Sequence, residues 1–268
     1  MYGGDDMELT NREELMYELI EVFAQNHIPF VFKGGLITKQ YLSANGLHSV
    51  TRHTVDIDAN LFDKSIYEVR DMMEKVLEKT HPSAVVKVER EPRKGMTGSI
   101  EIFLQDTMER VYMDIDTGHP VTGIAELTIN GTRIECVDIK QIIADKLSAV
   151  SSPQVFRRSK DFIDLYGLSR CAEFTTAEIR EILRTSEHEL GDFSRLFNER
   201  ENAEHAYQKL YGVIEKPPFS EVYDQIRRLA EPFVREPDRD LLWDPVECDY
   251  SLELDRDDYD DPEEDLER

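Results

Sequence analysis

The stretch FVFKGGLITKQYL (residues 30–42), followed by RHTVDIDANL (residues 52–61), is the most informative part of the sequence about its architecture. The apolar run at residues 30–33 predicts a short buried strand, and the glycine pair after it predicts a turn that opens a helix. Residues 54–61 alternate between apolar and acidic side chains and predict a second strand. A strand, a glycine turn, a helix and another strand predict a sheet that is flanked by helices.

The rest of the chain extends this pattern and then changes it. Further strands are predicted at 84–90, 98–104 and 110–116, and a hairpin at 126–134 turns at Asn130 and Gly131. From residue 138 onward the periodicity predicts helices only. We therefore expect the α/β (α+β) class, with a mixed-sheet domain at 1–137 and a helical domain at 138–232.

Charge is distributed unevenly along the chain. The formal net charge of the 268 residues is −24, and residues 231–268 alone hold 17 acidic and 4 basic side chains. A segment with so many acidic residues buries too little apolar surface to offset the entropy lost when it becomes ordered. We therefore predict an acidic, disordered tail at 233–268. The tail could be a plain solvating segment, or it could imitate nucleic-acid charge and cover a basic cleft.

Composition excludes several classes of protein. A net charge of −24 excludes a generally basic, non-specific nucleic-acid binder and argues against binding to anionic membranes. The sequence has no apolar run of about 18 residues, and its acidic N-terminus is unlike a signal peptide. Three widely spaced cysteines indicate a reducing compartment. We expect a cytoplasmic protein without a membrane segment.

Two pairs of aspartates carry the clearest chemical signal. Asp56 and Asp58 are two residues apart on one predicted strand, and Asp114 and Asp116 repeat that spacing on another. Residues i and i+2 of a strand share a face, so each pair of carboxylates converges and repels unless a cation neutralises it. Hard oxygen ligands favour Mg²⁺ or Mn²⁺. The alternative is a solvated sheet face.

The glycine turn predicts a phosphate site beside these acids. Lys33, Gly34 and Gly35 lie between a strand and a helix, where a bare backbone and free N–H groups can approach a phosphate. A plain tight turn is the alternative. Arg52 and Thr54 just precede the first aspartate pair and could reach the same cleft.

With these motifs the sequence resembles the nucleotidyltransferase superfamily, which has the fold of DNA polymerase β. Within this superfamily, the sequence is most similar to the AbiEii/AbiGii-type toxins of bacterial abortive-infection and type IV toxin–antitoxin systems. Three segments carry the resemblance: residues 30–42, residues 52–61, and IADKLSAVSSPQVFRRSKDFIDLYGL at 143–168. One departure is Gly35, where many members of the superfamily have serine.

The resemblance implies roles for individual residues. Asp56 and Asp58 would hold divalent ions, and Asp114 would be the third acid, with Asp116 as second choice. Lys146 would contact the triphosphate, and Asp164 would orient Lys146 or take part directly. The basic residues Arg157 and Lys160 could bind the triphosphate or an RNA backbone.

The implied function is metal-dependent transfer of a nucleotide from an NTP to a macromolecular acceptor, with release of pyrophosphate. RNA, such as tRNA, is the expected acceptor, and an antitoxin encoded nearby is an expected partner. Two alternatives stay open. One is transfer to a small-molecule antibiotic, and the other is a non-catalytic relative that binds a nucleotide or a partner.

Overall fold

The computed structural model describes residues 3–94 and 96–252. The first half of the chain alternates helices with strands. In chain order these are α1 (Gly3–Gln25), β1 (Phe30–Lys33), α2 (Gly34–Ala44), β2 (Asp56–Leu61), α3 (Ile66–Thr80), β3 (Ala84–Arg90), β4 (Gly98–Leu104), β5 (Glu109–Asp116), β6 (Ile124–Ile129) and β7 (Thr132–Val137).

Helices dominate the second half. It contains α4 (Ile139–Ser151), α5 (Ser159–Leu168), β8 (Phe174–Thr175), α6 (Thr176–Thr185), α7 (Ser194–Asn198), α8 (Arg200–Gln208), α9 (Phe219–Arg235), β9 (Leu241–Asp244) and β10 (Asp249–Leu252). The change from strands to helices falls between Val137 and Ile139, where the sequence pattern also changes.

Strands β1 to β7 form one mixed sheet in the order β3-β4-β5-β2-β1-β7-β6. The pairs β2/β5 and β1/β7 are parallel, and the remaining neighbours are antiparallel. The predicted mixed α/β sheet with helices is confirmed. The sheet brings β1, β2 and β5, which carry the glycine turn and both aspartate pairs, next to one another.

Alternation along the strands separates a buried face from a polar one. Gly98, Ile100 and Ile102 of β4 face α3, because a Cβ on Gly98 would lie 2.6 Å from the Ile66 side chain. Ser65 caps the N-terminus of α3 and forms a reciprocal capping box with Glu68. The apolar side chains between α3 and the sheet are fully buried and form much of the core.

The helical part packs onto the sheet part through α2. Gly167 of α5 approaches Leu42 of α2 so closely that a Cβ would lie 2.6 Å from the leucine. Backbone hydrogen bonds also join the two parts, from the His53 N–H to the Gly212 carbonyl at 2.8 Å and from Ile214 to Thr51 at 3.1 Å. These contacts position α4 and α5 beside the carboxyl end of β1.

The prediction of a disordered tail at 233–268 is wrong for residues 233–252. Strands β8, β9 and β10 form a small antiparallel sheet in the order β10-β9-β8. Trp243 of β9 is fully buried, packs against Phe174 and Tyr250, and donates to the Ser169 carbonyl at 2.6 Å. These few apolar side chains compensate for ordering an acidic segment. The remainder of the predicted tail lies outside the described residues.

Within the described part of the chain, every helix is too short or too polar to span a bilayer.

Candidate active site

A transverse row of side chains crosses the sheet at the carboxyl end of β1. Lys33 of β1 is in register with Asp58 of β2, and Asp58 is in register with Asp114 of β5. Ser99 of β4 and Arg90 of β3 continue the row. The two strands that carry the aspartate pairs, β2 and β5, were predicted to be neighbours, and they are directly paired.

The glycine turn lies directly against this row. Gly34 has a φ of +74°, and a Cβ at that position would lie 1.8 Å from a carboxylate oxygen of Asp58. A Cβ on Gly35 would lie 2.8 Å from the Thr54 hydroxyl. A side chain cannot be accommodated at Gly34, and one at Gly35 would displace the Thr54 side chain, so the start of α2 lies against the acids with its backbone bare. This is the surface that a phosphate would approach.

Asp58 lies where its charged form is destabilised. Burial raises its pKa, and the neighbouring Asp56 raises it further, to about 6. The carboxylate of Asp56 accepts from the Thr54 hydroxyl at 3.2 Å. Buried, repelling carboxylates of this kind are the donor set that a hard divalent cation stabilises, so these residues fit such an ion.

The third acid is held by a different partner. Arg90 approaches the Asp114 carboxylate at 3.2 Å, and both side chains are partly exposed. In the described part of the chain, no three Asp, Glu, His or Cys side chains already converge as a set that could hold a metal ion. The backbone register aligns Asp114 with Asp58, but the Asp114 side chain is paired with Arg90.

Asp116 has more hydrogen-bond partners than Asp114. It binds the Lys33 ammonium at 2.7 Å and accepts from the backbone N–H groups of Gly118 and His119 at 2.9 and 3.2 Å. Burial would raise its pKa, but Lys33 and these donors hold the pKa well below its usual value. Asp116 therefore fixes Lys33 and the loop after β5.

Two cations of the cleft share one buried aspartate of α5. The guanidinium of Arg52 binds both oxygens of Asp164, at 2.9 and 3.0 Å. The Lys146 ammonium binds Asp164 at 2.6 Å and Asp161 at 3.1 Å. Burial lowers the pKa of Lys146, but the two carboxylates raise it by more, so the lysine stays charged. Lys146 and Arg52 thus face the cleft with their orientation fixed from behind.

A cavity of about 550 Å³ unites these groups. Its wall contains the predicted site residues except two: Asp164, which lies behind Lys146 and Arg52, and Asp116, the second choice for the third acid, which lies behind Lys33. Arg157 and Lys160 line the cavity at its helical side, and within the described residues neither has an ion partner in reach. The neighbouring Arg158 is paired with Asp161 at 2.7 Å.

Sequence reasoning missed several residues that complete the site. Glu13 of α1 is buried and accepts from Lys39 at 2.6 Å and from the Thr54 backbone N–H at 2.8 Å, so it fixes the approach to β2. Its position between polar neighbours gave no signal in the sequence. Arg90 and His188 were missed because their partners, Asp114 and Asp145, are distant in the chain.

Comparison with solved structures shows the fold. The JHP933 protein of Helicobacter pylori superposes with a TM-score of 0.52 at 15% identity, over 85% of this chain and 93% of that one. A second H. pylori chain, provisionally described as a nucleotidyltransferase, gives the same TM-score and identity over 85% and 96%. Comparison with curated protein sequences gives no significant match.

A family model establishes the relationship that the motifs suggested. The model of the AbiEii nucleotidyl transferase toxins of type IV toxin–antitoxin systems matches residues 14–267. This range includes the glycine turn, both aspartate pairs and the segment 143–168 that carried the resemblance. The chain therefore belongs to the AbiEii nucleotidyl transferase toxin family.

Proposed function

We propose that this nucleotidyltransferase transfers a nucleotide from an NTP to an RNA acceptor, with release of pyrophosphate. The observation that supports this most strongly is the cleft in which the glycine turn, Asp56, Asp58 and Asp114 meet Arg52 and the cations Lys146 and Arg157 of the helical part. Such a cleft suits a triphosphate, since acids for divalent ions lie on one side and Lys146, Arg52 and Arg157 lie on the other.

Each group then has a role that follows from its place. Asp56, Asp58 and Asp114 would hold Mg²⁺ or Mn²⁺, which would neutralise the triphosphate and the developing charge of the transition state. The backbone at Gly34 and Gly35 would bind phosphate oxygens, and Lys146 would bind the triphosphate. Asp164, which contacts Arg52 and Lys146 rather than the cavity, would act as a positioning residue.

The charges of the cavity favour an anionic acceptor. Six cationic side chains line it, namely Lys33, Arg52, Lys146, Arg157, Arg158 and Lys160. Five acids of the described residues line it as well: Asp56, Asp58 and Asp114 are those proposed to bind metal, Asp161 is paired with Lys146 and Arg158, and Asp145 lies 3.1 Å from His188. An acidic pocket that would attract a cationic antibiotic is not formed by the described lining. Transfer to such a small molecule is therefore the weaker candidate.

Partners follow from the family and from the reaction. A type IV toxin implies an antitoxin. We place the reaction in the cytoplasm, where NTPs and RNA are available.

The test is label transfer from each α-³²P-labelled NTP to total tRNA by purified protein in Mg²⁺. We expect labelled RNA with at least one NTP and its loss, by at least about 100-fold, in Asp58→Asn. An aminoglycoside offered as the competing acceptor should stay unlabelled. Absence of transfer to RNA, or equal transfer by Asp58→Asn, would contradict the proposal.

A further inference from the structure

The sheet continues beyond the metal-binding acids as an open, polar face. On the side of the sheet opposite α3, Tyr112 of β5 lies beside Glu101 of β4, and Glu101 lies beside Lys87 of β3. The row of Asp58 and Asp114 ends at Arg90, on the edge strand β3. We call the face formed by Lys87, Arg90, Glu101, Arg110 and Tyr112 the outer sheet face.

This face exposes an aromatic ring next to the site. Tyr112 is 40% exposed although it lies in a central strand, directly in register with Asp56. Its hydroxyl donates to Glu101 at 3.2 Å, which holds the ring in place. An exposed, fixed aromatic ring is the kind of group on which a base of single-stranded nucleic acid stacks.

The cations of the outer sheet face are paired with acids: Arg110 with Glu101, Lys87 with Glu89 and Arg90 with Asp114. The basic charge that stays available lies farther along, in Arg93 and Lys94 at the exposed tip between β3 and β4. Within the described residues, the side chains of Arg93 and Lys94 have no ion partner. The net charge of the protein is −24, so these two cations at the tip stand out from the rest of the surface. They are complementary to the phosphates of a nucleic acid.

We propose that the outer sheet face and the β3–β4 tip bind the single-stranded end of the RNA acceptor. A base stacks on Tyr112, and Arg93 and Lys94 contact backbone phosphates. The inference rests on the proposed function and adds a place and an orientation to it. The acceptor approaches Asp114 from the β3 side, opposite to the helical side from which Lys146 and Arg157 face the triphosphate.

Arg90 links this surface to the chemistry. It is the residue between the tip and Asp114, and its side chain is 46% exposed. An acceptor phosphate at this position would compete with Asp114 for the guanidinium, which releases the Asp114 carboxylate toward Asp58. Arg90 is therefore a positioning residue for the acceptor end.

The test measures RNA affinity separately from catalysis. Fluorescence anisotropy with a labelled single-stranded RNA of about 12 nucleotides is followed in increasing KCl, for the wild type and the variants. Arg93→Ala/Lys94→Ala should lower the steepness of log affinity against log salt by about 1.4, the value for two lost phosphate contacts on a single strand. Tyr112→Leu should weaken binding at least about fivefold, whereas Tyr112→Phe should retain it.

The matched control removes two cations from the opposite side of the sheet. Lys75 and Lys79 are exposed residues of α3, and Lys75→Ala/Lys79→Ala should bind RNA like the wild type. Equal loss in the control, wild-type binding by the Tyr112 and tip variants, or no RNA affinity of the wild type would overturn the proposal. Calorimetry of Mg²⁺·NTP separates the two claims, because the tip variants should bind nucleotide normally even if the acceptor site is misplaced.

Discussion

At the scale of single residues, Asp58 concentrates the energetic cost of the site. Its carboxylate lies against the backbone of Gly34, where a side chain would not fit, and the negative charge of Asp56 repels it. Its pKa of about 6 means that the folded protein holds this proton more tightly than the unfolded chain does. The metal-free protein should therefore lose stability as the pH rises from 3.8 toward 6.

Replacing Asp58 separates stability from function. Asp58→Asn should raise the free energy of unfolding of metal-free protein at pH 7 by about 2–3 kcal/mol, because each unit of pKa shift corresponds to about 1.4 kcal/mol. Chemical denaturation in EDTA measures the difference. Added Mg²⁺ should stabilise the wild type and leave the variant unchanged. A variant that is less stable than the wild type in EDTA would refute the account of repulsion.

Asp164 has the opposite energetic sign. Since it neutralises both Arg52 and Lys146 in a buried place, Asp164→Asn should destabilise the protein by about 3 kcal/mol. Asp224→Asn, at an exposed position of α9, is the matched control and should change stability by less than about 0.5 kcal/mol. Urea unfolding compares the two. Similar values for both would show that the buried ion pairs do not hold Arg52 and Lys146.

Residue spacing predicted the groups of the site better than it predicted their partners. The two aspartate pairs and the glycine turn are local patterns, so the sequence could indicate them. The pairing of Arg52 with Asp164 joins residues 112 positions apart, and Arg90 joins Asp114 across 24. Such contacts depend on strand order and helix packing, which no local pattern specifies. The roles assigned to the individual residues stay predictions.

At the scale of elements, alternation and helical periodicity predicted most of the strands and helices up to α9. The pattern failed at β9 and β10, because an overall acidic segment concealed four-residue strands. Their stability depends on Trp243, whose contacts with Phe174 and Tyr250 come from distant parts of the chain. Composition averaged over such a segment hides a single large apolar side chain.

Trp243→Ala should therefore destabilise the whole protein, by about 3–5 kcal/mol, since it removes a fully buried aromatic side chain. Thermal unfolding, followed by circular dichroism, measures the loss. Val246→Ala is the control, because Val246 is exposed in the turn after β9 and should have little effect. A loss below about 1 kcal/mol for Trp243→Ala would indicate that the small sheet is peripheral.

At the scale of the whole molecule, two stacked histidines join the sheet part to the helical part. His119 follows β5 and His188 follows α6, and their rings stack with centroids 4.7 Å apart. His188 lies 3.1 Å from Asp145 of α4, and this carboxylate raises the pKa of His188. Both His188 and Asp145 line the cavity of about 550 Å³.

The pairing of His188 with Asp145 should make the free energy of unfolding depend on pH above 6.5. Because the pKa of His188 is raised in the folded state, its contribution is complete below 6.5 and disappears as the pH rises through the folded value. The difference in free energy of unfolding between the wild type and His188→Gln should shrink over that range. Urea titrations between about pH 6 and 9 measure it. A difference that is independent of pH would contradict the assignment.

A crystal structure with Mg²⁺ and a non-transferable NTP analogue would show directly whether this cleft binds the nucleotide. We predict that the triphosphate lies on the turn of Gly34 and Gly35, with Lys146 in contact. We also predict that metal ions contact Asp56, Asp58 and Asp114, and that Asp114 has separated from Arg90. A nucleotide bound elsewhere, or metal ions that leave Asp58 without contact, would contradict the account.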